Sequence, residues 1–200
     1  MSHDDVTRLV RRCREGDELA WEELVRRFQA RVLGLVLHYV RSREDARDVA
    51  QDVFVRVYRS LPNFEQEDRF VPWLLRVART CAIDHTRRRA VRPPAQDVPV
   101  EELITLADPV ADPGREAERA SDRGLLRRAL QRCSELHREI LVLREIQGLA
   151  LNEVAELLDI PGGTAKSRAA RARAELARAV IALEDEEAAA LDRARSGGPR

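Results

Sequence analysis

Apolar residues recur along this chain three and four positions apart almost from end to end, the spacing of helices that each bury one face. Val6, Leu9, Val10 and Cys13 form the first such set, closed by Gly16. Asp17 stands where it can cap a second helix, whose Trp21, Leu24, Phe28, Val32 and Leu35 keep the rhythm toward Val40. Ser42 with Asp45 resembles a capping box, aspartate standing for the usual glutamate or glutamine, and Ala46, Val49, Ala50, Val53, Phe54 and Val57 supply the buried face of a third helix. Leu61-Pro62-Asn63 breaks that helix and Glu65 to Arg69 is a polar loop. A fourth helix runs from about Pro72 through Trp73, Leu74, Val77, Ala78 and Cys81 to the arginine run at Arg87, so residues 1–91 predict one compact bundle.

The rhythm lapses between Arg92 and Asp122. Five prolines (Pro93, Pro94, Pro99, Pro109, Pro113) and an acidic excess predict an extended, flexible linker over 92–122, without a helix of useful length. From Arg123 the helical pattern resumes through Leu125, Leu126, Ala129 and Leu130, then Ile140, Leu141 and Leu143 to a stop at Gly148, giving a second domain over 123–183. Beyond Leu183, Glu184-Asp-Glu-Glu and the closing Ser196-Gly-Gly-Pro-Arg predict a disordered tail, 184–200. The expected fold is all-α, two small helical domains joined by a linker.

Within the second domain, Leu149 to Arg178 has the form of a helix-turn-helix. Leu151, Val154, Ala155 and Leu158 line one stripe of a short helix; Pro161-Gly162-Gly163 predicts the reversal, and Thr164 the N-cap of the next helix. On that helix Ala165, Ala169, Ala172 and Leu176 fall on one side, thin enough for close packing. Ser167, Arg171, Ala174 and Arg178 lie opposite, flanked by Lys166, Arg168 and Arg173. Guanidinium forks on such a face match guanine edges and phosphates, so the chemistry is that of a major-groove helix.

Composition changes this picture little. The 200 residues carry no formal net charge, so total charge gives no hint of nucleic acid, but its distribution does. Arginines cluster from Arg76 to Arg92 and again after Lys166, with acidic side chains dominating between. Three separated cysteines, Cys13, Cys81 and Cys133, without a CxxC pair, argue against a disulfide framework or zinc site and fit a reducing compartment. No apolar run is long enough to span a bilayer and the first residues are acidic where a secretory signal is basic, so a cytoplasmic protein without membrane insertion is expected. Cys81, Asp84 and His85 share about a turn, and Cys133 and His137 are four apart, but no third and fourth group converges on either. Cys81 fits the core stripe instead, and neither an enzyme, a metal site nor a cofactor or small-molecule substrate is expected.

Two blocks, in order, carry a family resemblance. The first comprises Asp45-Ala-Arg-Asp-Val-Ala-Gln-Asp-Val-Phe-Val-Arg-Val-Tyr-Arg, Phe64, Trp73-Leu-Leu-Arg-Val-Ala-Arg and Asp84-His-Thr-Arg-Arg-Arg. The second comprises Arg138-Glu-Ile-Leu-Val-Leu-Arg-Glu-Ile-Gln-Gly-Leu, Glu153-Val-Ala-Glu-Leu-Leu and Gly163-Thr-Ala-Lys-Ser-Arg-Ala-Ala-Arg-Ala-Arg. The chain resembles bacterial sigma factors of the extracytoplasmic-function group, which keep only the second and fourth conserved regions. It departs from them at Cys133-Ser134 in place of Leu-Pro, at Ala150 in place of a serine cap, and at Ala165 and Ala169 in place of valine and leucine.

The resemblance implies a promoter-specificity subunit with core RNA polymerase (its β′ clamp and β flap) and promoter DNA as partners. It puts the polymerase on Asp45, Asp48, Gln51 and Asp52, a face of the third helix distinct from Val49, Val53 and Val57. It puts a flipped base of the −10 element in the loop Asn63, Glu65, Gln66, Glu67, Asp68 and Arg69, with Arg79, Arg87, Arg88 and Arg89 holding phosphates beside it. The −35 element falls to Thr164, Lys166, Ser167, Arg168, Arg171 and Arg173, with Ser167 and Arg171 on base edges. An anti-sigma factor is a further expected partner, inserting between domains that the linker leaves apart. The alternative is a dimeric helix-turn-helix regulator acting without polymerase, which would protect two half-sites about one helical turn apart.

Overall fold

A computed structural model describes residues 3–40, 42–89 and 113–196, which fall into two compact units, one up to residue 89 and one from 113 on. Among the described residues the regular structure is all helical. The expected linker between 92 and 112 and the closing residues 197–200 lie outside the described residues.

In the first unit α1 (His3–Arg14) packs on α2 (Glu18–Tyr39), which packs with α3 (Arg43–Ser60) against α4 (Phe70–Arg89). Local signals set the boundaries. Gly16 adopts φ +86 between α1 and α2, a left-handed conformation that costs glycine nothing. The Asp17 carboxylate then accepts from the Ala20 N–H at 3.0 Å, and Ser42 Oγ accepts from the Asp45 N–H at 3.3 Å, each satisfying a donor at a helix start. Leu24, Val32, Leu35, Val53, Phe70, Leu74 and Leu75 are buried between the helices. After α3 the chain makes a 3-10 turn at Leu61–Asn63 and another at Glu67–Arg69, so the expected loop is partly ordered into a turn. Pro72 falls in the first turn of α4, where its missing N–H is not needed.

The second unit comprises α5 (Pro113–Arg132), α6 (Glu135–Leu141) with a π-helical extension over Val142–Ile146, α7 (Leu151–Leu158) and α8 (Gly162–Ser196). Three expectations are corrected here. Residues 113–122 are helical rather than extended, because Pro113 sits at the first helical position, where proline is tolerated, and none follows it. Residues 184–196 are also helical. Alanines and alternating charges favour helix there, Leu183 is buried against Ala129, and Glu186 and Glu187 pair with Arg132 and Arg128 of α5. Thr164 is not the N-cap. The chain reverses at Asp159, in the left-handed region with φ 54, a conformation that aspartate tolerates; Gly162 and Gly163 already belong to α8, where the Ala165 N–H reaches the Pro161 carbonyl at 3.0 Å. No helix among the described residues is long and apolar enough to cross a membrane.

Candidate nucleic-acid interface

On α3, Asp48, Gln51 and Asp52 face away from the core and are exposed, with Arg47, Arg56 and Arg59 exposed beside them. Asp45 does not join them. It is half-buried, its carboxylate ion-paired with Arg89 on the last turn of α4 and 3.8 Å from His85 Nε2. Both helix dipoles favour this arrangement, with an anion in the first turn of α3 and a cation in the last turn of α4. The pair therefore joins two residues expected to serve different surfaces. Farther along the outer face of α3, Val55 and Tyr58 are 49% and 62% exposed, an apolar extension not anticipated from sequence. The signal was there: Val55 falls between Val53 and Val57, out of phase with the buried stripe. Tyr58 lies edge-on to Trp21 at 5.0 Å, and the two line a groove of about 810 Å³ with Phe54, Val55, Leu61 and Pro62.

The loop after α3 is held at both ends. Leu61 is buried at its start, and Phe64 stacks on Trp73 at 4.4 Å and meets Phe70 edge-on at 6.2 Å. Asn63, Glu65, Gln66 and Asp68 are exposed, and Arg69 is half-buried. Glu67 points inward, both carboxylate oxygens taken by Arg11 and Arg14, and those hydrogen bonds, the one from Arg11 foremost, hold its carboxyl below the usual carboxylate range. Along α4, Arg79 lies 6.0 Å over the Tyr39 ring, Arg88 donates to the Asp84 carbonyl at 3.1 Å, and Arg87 and Arg88 are exposed.

On α8, Ala165, Ala169 and Ala172 are buried and Lys166, Ser167, Arg171 and Arg173 exposed, as the wheel predicts; Thr164 and Arg168 are half-buried. Ser167 Oγ donates to the Thr164 carbonyl at 3.1 Å, and Arg171 reaches back to the Ser167 carbonyl and hydroxyl, both at 3.3 Å, so these two form one polar unit. Arg173 is bound to Glu145 at 2.9 Å, spanning from α8 to the π-helical segment.

Three further contacts close helix ends in the second unit. Glu175 accepts from the Ser134 N–H at 3.0 Å and hydroxyl at 3.2 Å and from His137 Nδ1, closing the N-terminus of α6; these bonds, His137 foremost, lower its pKa. Arg138 donates to the carbonyls of Leu130, Gln131 and Cys133 at 2.8, 3.0 and 2.9 Å, satisfying acceptors that α5 leaves open at its end. Ala150 has no side-chain acceptor, so α7 keeps half a capping box, the Ala150 N–H donating to Glu153 at 2.6 Å. Cys133 and His137 take separate partners, Cys133 Sγ donating to the Ala129 carbonyl at 3.4 Å. Burial raises all three thiols, Cys13 to about 11.

Known proteins match this architecture. Residues 24–92 match the family described as Sigma-70 region 2, and residues 123–176 the family described as Sigma-70, region 4. Over 189 residues the chain is 33% identical to the RNA polymerase sigma-H factor of Pseudomonas aeruginosa, covering 92% of this chain and 97% of that protein. It is 34% identical over 170 residues to the ECF RNA polymerase sigma-E factor of Escherichia coli K12, covering 82% and 88%. Among solved structures, CnrH in complex with the cytosolic domain of CnrY is similar at a TM-score of 0.60 and 26% identity, over 88% of this chain and 97% of that one. The sigma factor RpoE, solved with the anti-sigma factor NepR from Bartonella quintana, shares the fold at a TM-score of 0.58 and 18% identity, over 80% and 96%.

Proposed function

The chain belongs to the extracytoplasmic-function group of bacterial RNA polymerase sigma factors, and on that premise we propose which of its surfaces does what. As such a factor it directs core RNA polymerase to specific promoters and initiates transcription there. The observation that carries the division of labour is a contrast of exposed charge on two helices. An acidic and apolar strip, Asp48, Gln51, Asp52, Val55 and Tyr58, lies on α3, and a basic strip around Ser167 and Arg171 lies on α8 above its buried alanines.

The first strip docks on the polymerase β′ clamp, and the second unit, which also meets the β flap, carries the basic strip into the −35 major groove. Ser167 and Arg171 meet base edges, while Lys166, Arg168 and Arg173, with Thr164 in the first turn of α8, meet phosphates. Asn63, Glu65, Gln66, Asp68 and Arg69 receive the flipped −10 base, with Arg79, Arg87 and Arg88 on the backbone beside it. Asp45 and Arg89 hold α3 to α4 behind these surfaces. The protein works in the cytoplasm, without a catalytic centre, metal or cofactor of its own. An anti-sigma partner covers the α3 strip in the inactive state; the similar protein CnrH also forms a complex with another protein, the cytosolic domain of CnrY.

Assembly of the full chain with core polymerase on a library randomised at both promoter elements tests this assignment. Asp48→Arg with Asp52→Arg should abolish co-purification with core, yet change stability by no more than about 0.5 kcal/mol, because both sites are exposed. Arg171→Ala should lose about 1–3 kcal/mol of discrimination at one −35 position, whereas Arg173→Ala should weaken all sequences alike and flatten the salt dependence. Wild-type initiation by the double variant, or unchanged preference in Arg171→Ala, would overturn the corresponding assignment.

A further inference from the structure

We infer that α1 sets promoter specificity at a distance from the DNA: Arg11 and Arg14 grip Glu67 and so fix the shape of the loop that receives the −10 base. The inference rests on the proposal that this loop is the −10 pocket. It concerns residues 3–14, which precede the part of the chain that matches the Sigma-70 region 2 family.

The grip is two-handed. Arg11 Nε and Nη2 donate to one Glu67 oxygen at 3.2 and 3.0 Å, and Arg14 Nη1 donates to the other at 2.8 Å. Glu67 is left with 13% of its side-chain surface exposed, so little of its carboxylate is accessible to a base edge. It is a positioning residue, whereas Asn63, Gln66 and Asp68 around it are exposed. The gripping helix is itself anchored. Gly16 turns the chain, Arg12 binds Asp17 at 2.9 and 2.6 Å, and Asp17 at the same time caps α2, so α1 is fixed to the bundle as well as to the loop.

Leu61 and the Phe64–Trp73 stack hold the start of the loop and Phe70 its end, and between them the Glu67 grip ties the segment to α1. Two guanidinium groups also change the field there. Glu65, Glu67 and Asp68 against Arg69 would repel a phosphate, and pairing Glu67 with two cations neutralises that local excess. A base splayed into the loop therefore meets a preset shape and a tolerable charge, so less ordering is required when it binds.

The test uses the full chain assembled with core polymerase on the same promoter library, read for preference at each −10 position. Arg11→Ala with Arg14→Ala, and separately Glu67→Ala, should lower discrimination at the same −10 base by at least about three-fold. Combining all three should add nothing further, while −35 preference and affinity for core stay at wild-type values. Asn63→Ala and Gln66→Ala serve as controls on the loop. If they shift −10 preference and the arginine variants do not, α1 has no part in specificity and the inference falls alone. If neither set shifts it, the loop is not the −10 pocket and both readings fall. Should the double-arginine variant melt below the assay temperature, the swap Arg11→Glu, Arg14→Gln and Glu67→Arg restores an ion pair across the same gap. Recovery of −10 preference in the swap supports positioning, and a folded swap without recovery overturns it.

Discussion

Glu67 and Glu175 each gather three donors, one carboxylate in either unit, and the two are put to different uses. Glu67 in the first unit joins α1 to a surface loop, and losing its partners would free a segment outside the core. Glu175 in the second joins α8 to the N-terminus of α6, and losing its partners would release a helix that forms the framework itself. The contrast follows from what fills each core. The first unit packs phenylalanines and leucines, with Phe28 and Phe70 meeting edge-on at 5.4 Å, and its helices are held by volume. The second presents Ala165, Ala169 and Ala172 from α8, which lets helices approach closely but buries little area per residue, so polar contacts share in holding the helices.

Cutting volume from the first core is the severest way to press this difference. Phe70→Ala should cost about 3–5 kcal/mol, seen in calorimetry as a fall in the transition of the first unit while that of the second stays in place. A matching fall in both would show that the units unfold as one and would break the comparison. Adding volume to the second core is the milder counterpart. Ala172→Leu should cost about 1–3 kcal/mol through overpacking, lower the transition of the second unit and weaken −35 binding with it.

The smallest effect comes from acid. The pKa of Glu175 is lowered in the fold, so its contribution is present above its ordinary value of 4.5 and disappears as pH falls through the lower folded value. Melting of the second unit should therefore drop on acidification through that range, and Glu175→Gln should flatten the slope. An equal slope in the variant would assign the acid sensitivity to other carboxylates.

These clasps also mark where sequence stopped being informative. Asp17 and Ser42 were recognisable as caps because a cap joins residues three apart, and the buried face of α3 because its period is local. Glu67 finds Arg11 56 positions away, and Arg132 finds Glu186 54 positions away, and no pattern announces such a meeting. For that reason residues 184–196, polar and alanine-rich, looked like a tail until α5 was there to pair with them. Asp45 groups with Asp48 and Asp52 by spacing in the same way, and its ion pair with Arg89 of α4 lies beyond any local pattern. Thr164 failed for a local cause: two glycines after a proline suggest a break, yet glycine also accepts helical geometry, and Asp159 makes the reversal.

The unbroken length of α8 has a mechanical consequence. From Arg171 to Ser196 the helix runs about 38 Å at 1.5 Å per residue, and a helix paired along its side bends little. It behaves as a lever whose short arm lies at the basic strip. A tilt of about ten degrees at Arg171 would carry the far end through about 7 Å, since the arm is about 38 Å long. A dye or spin label near Ser196 would magnify motions of the strip that are too small to follow at the strip itself.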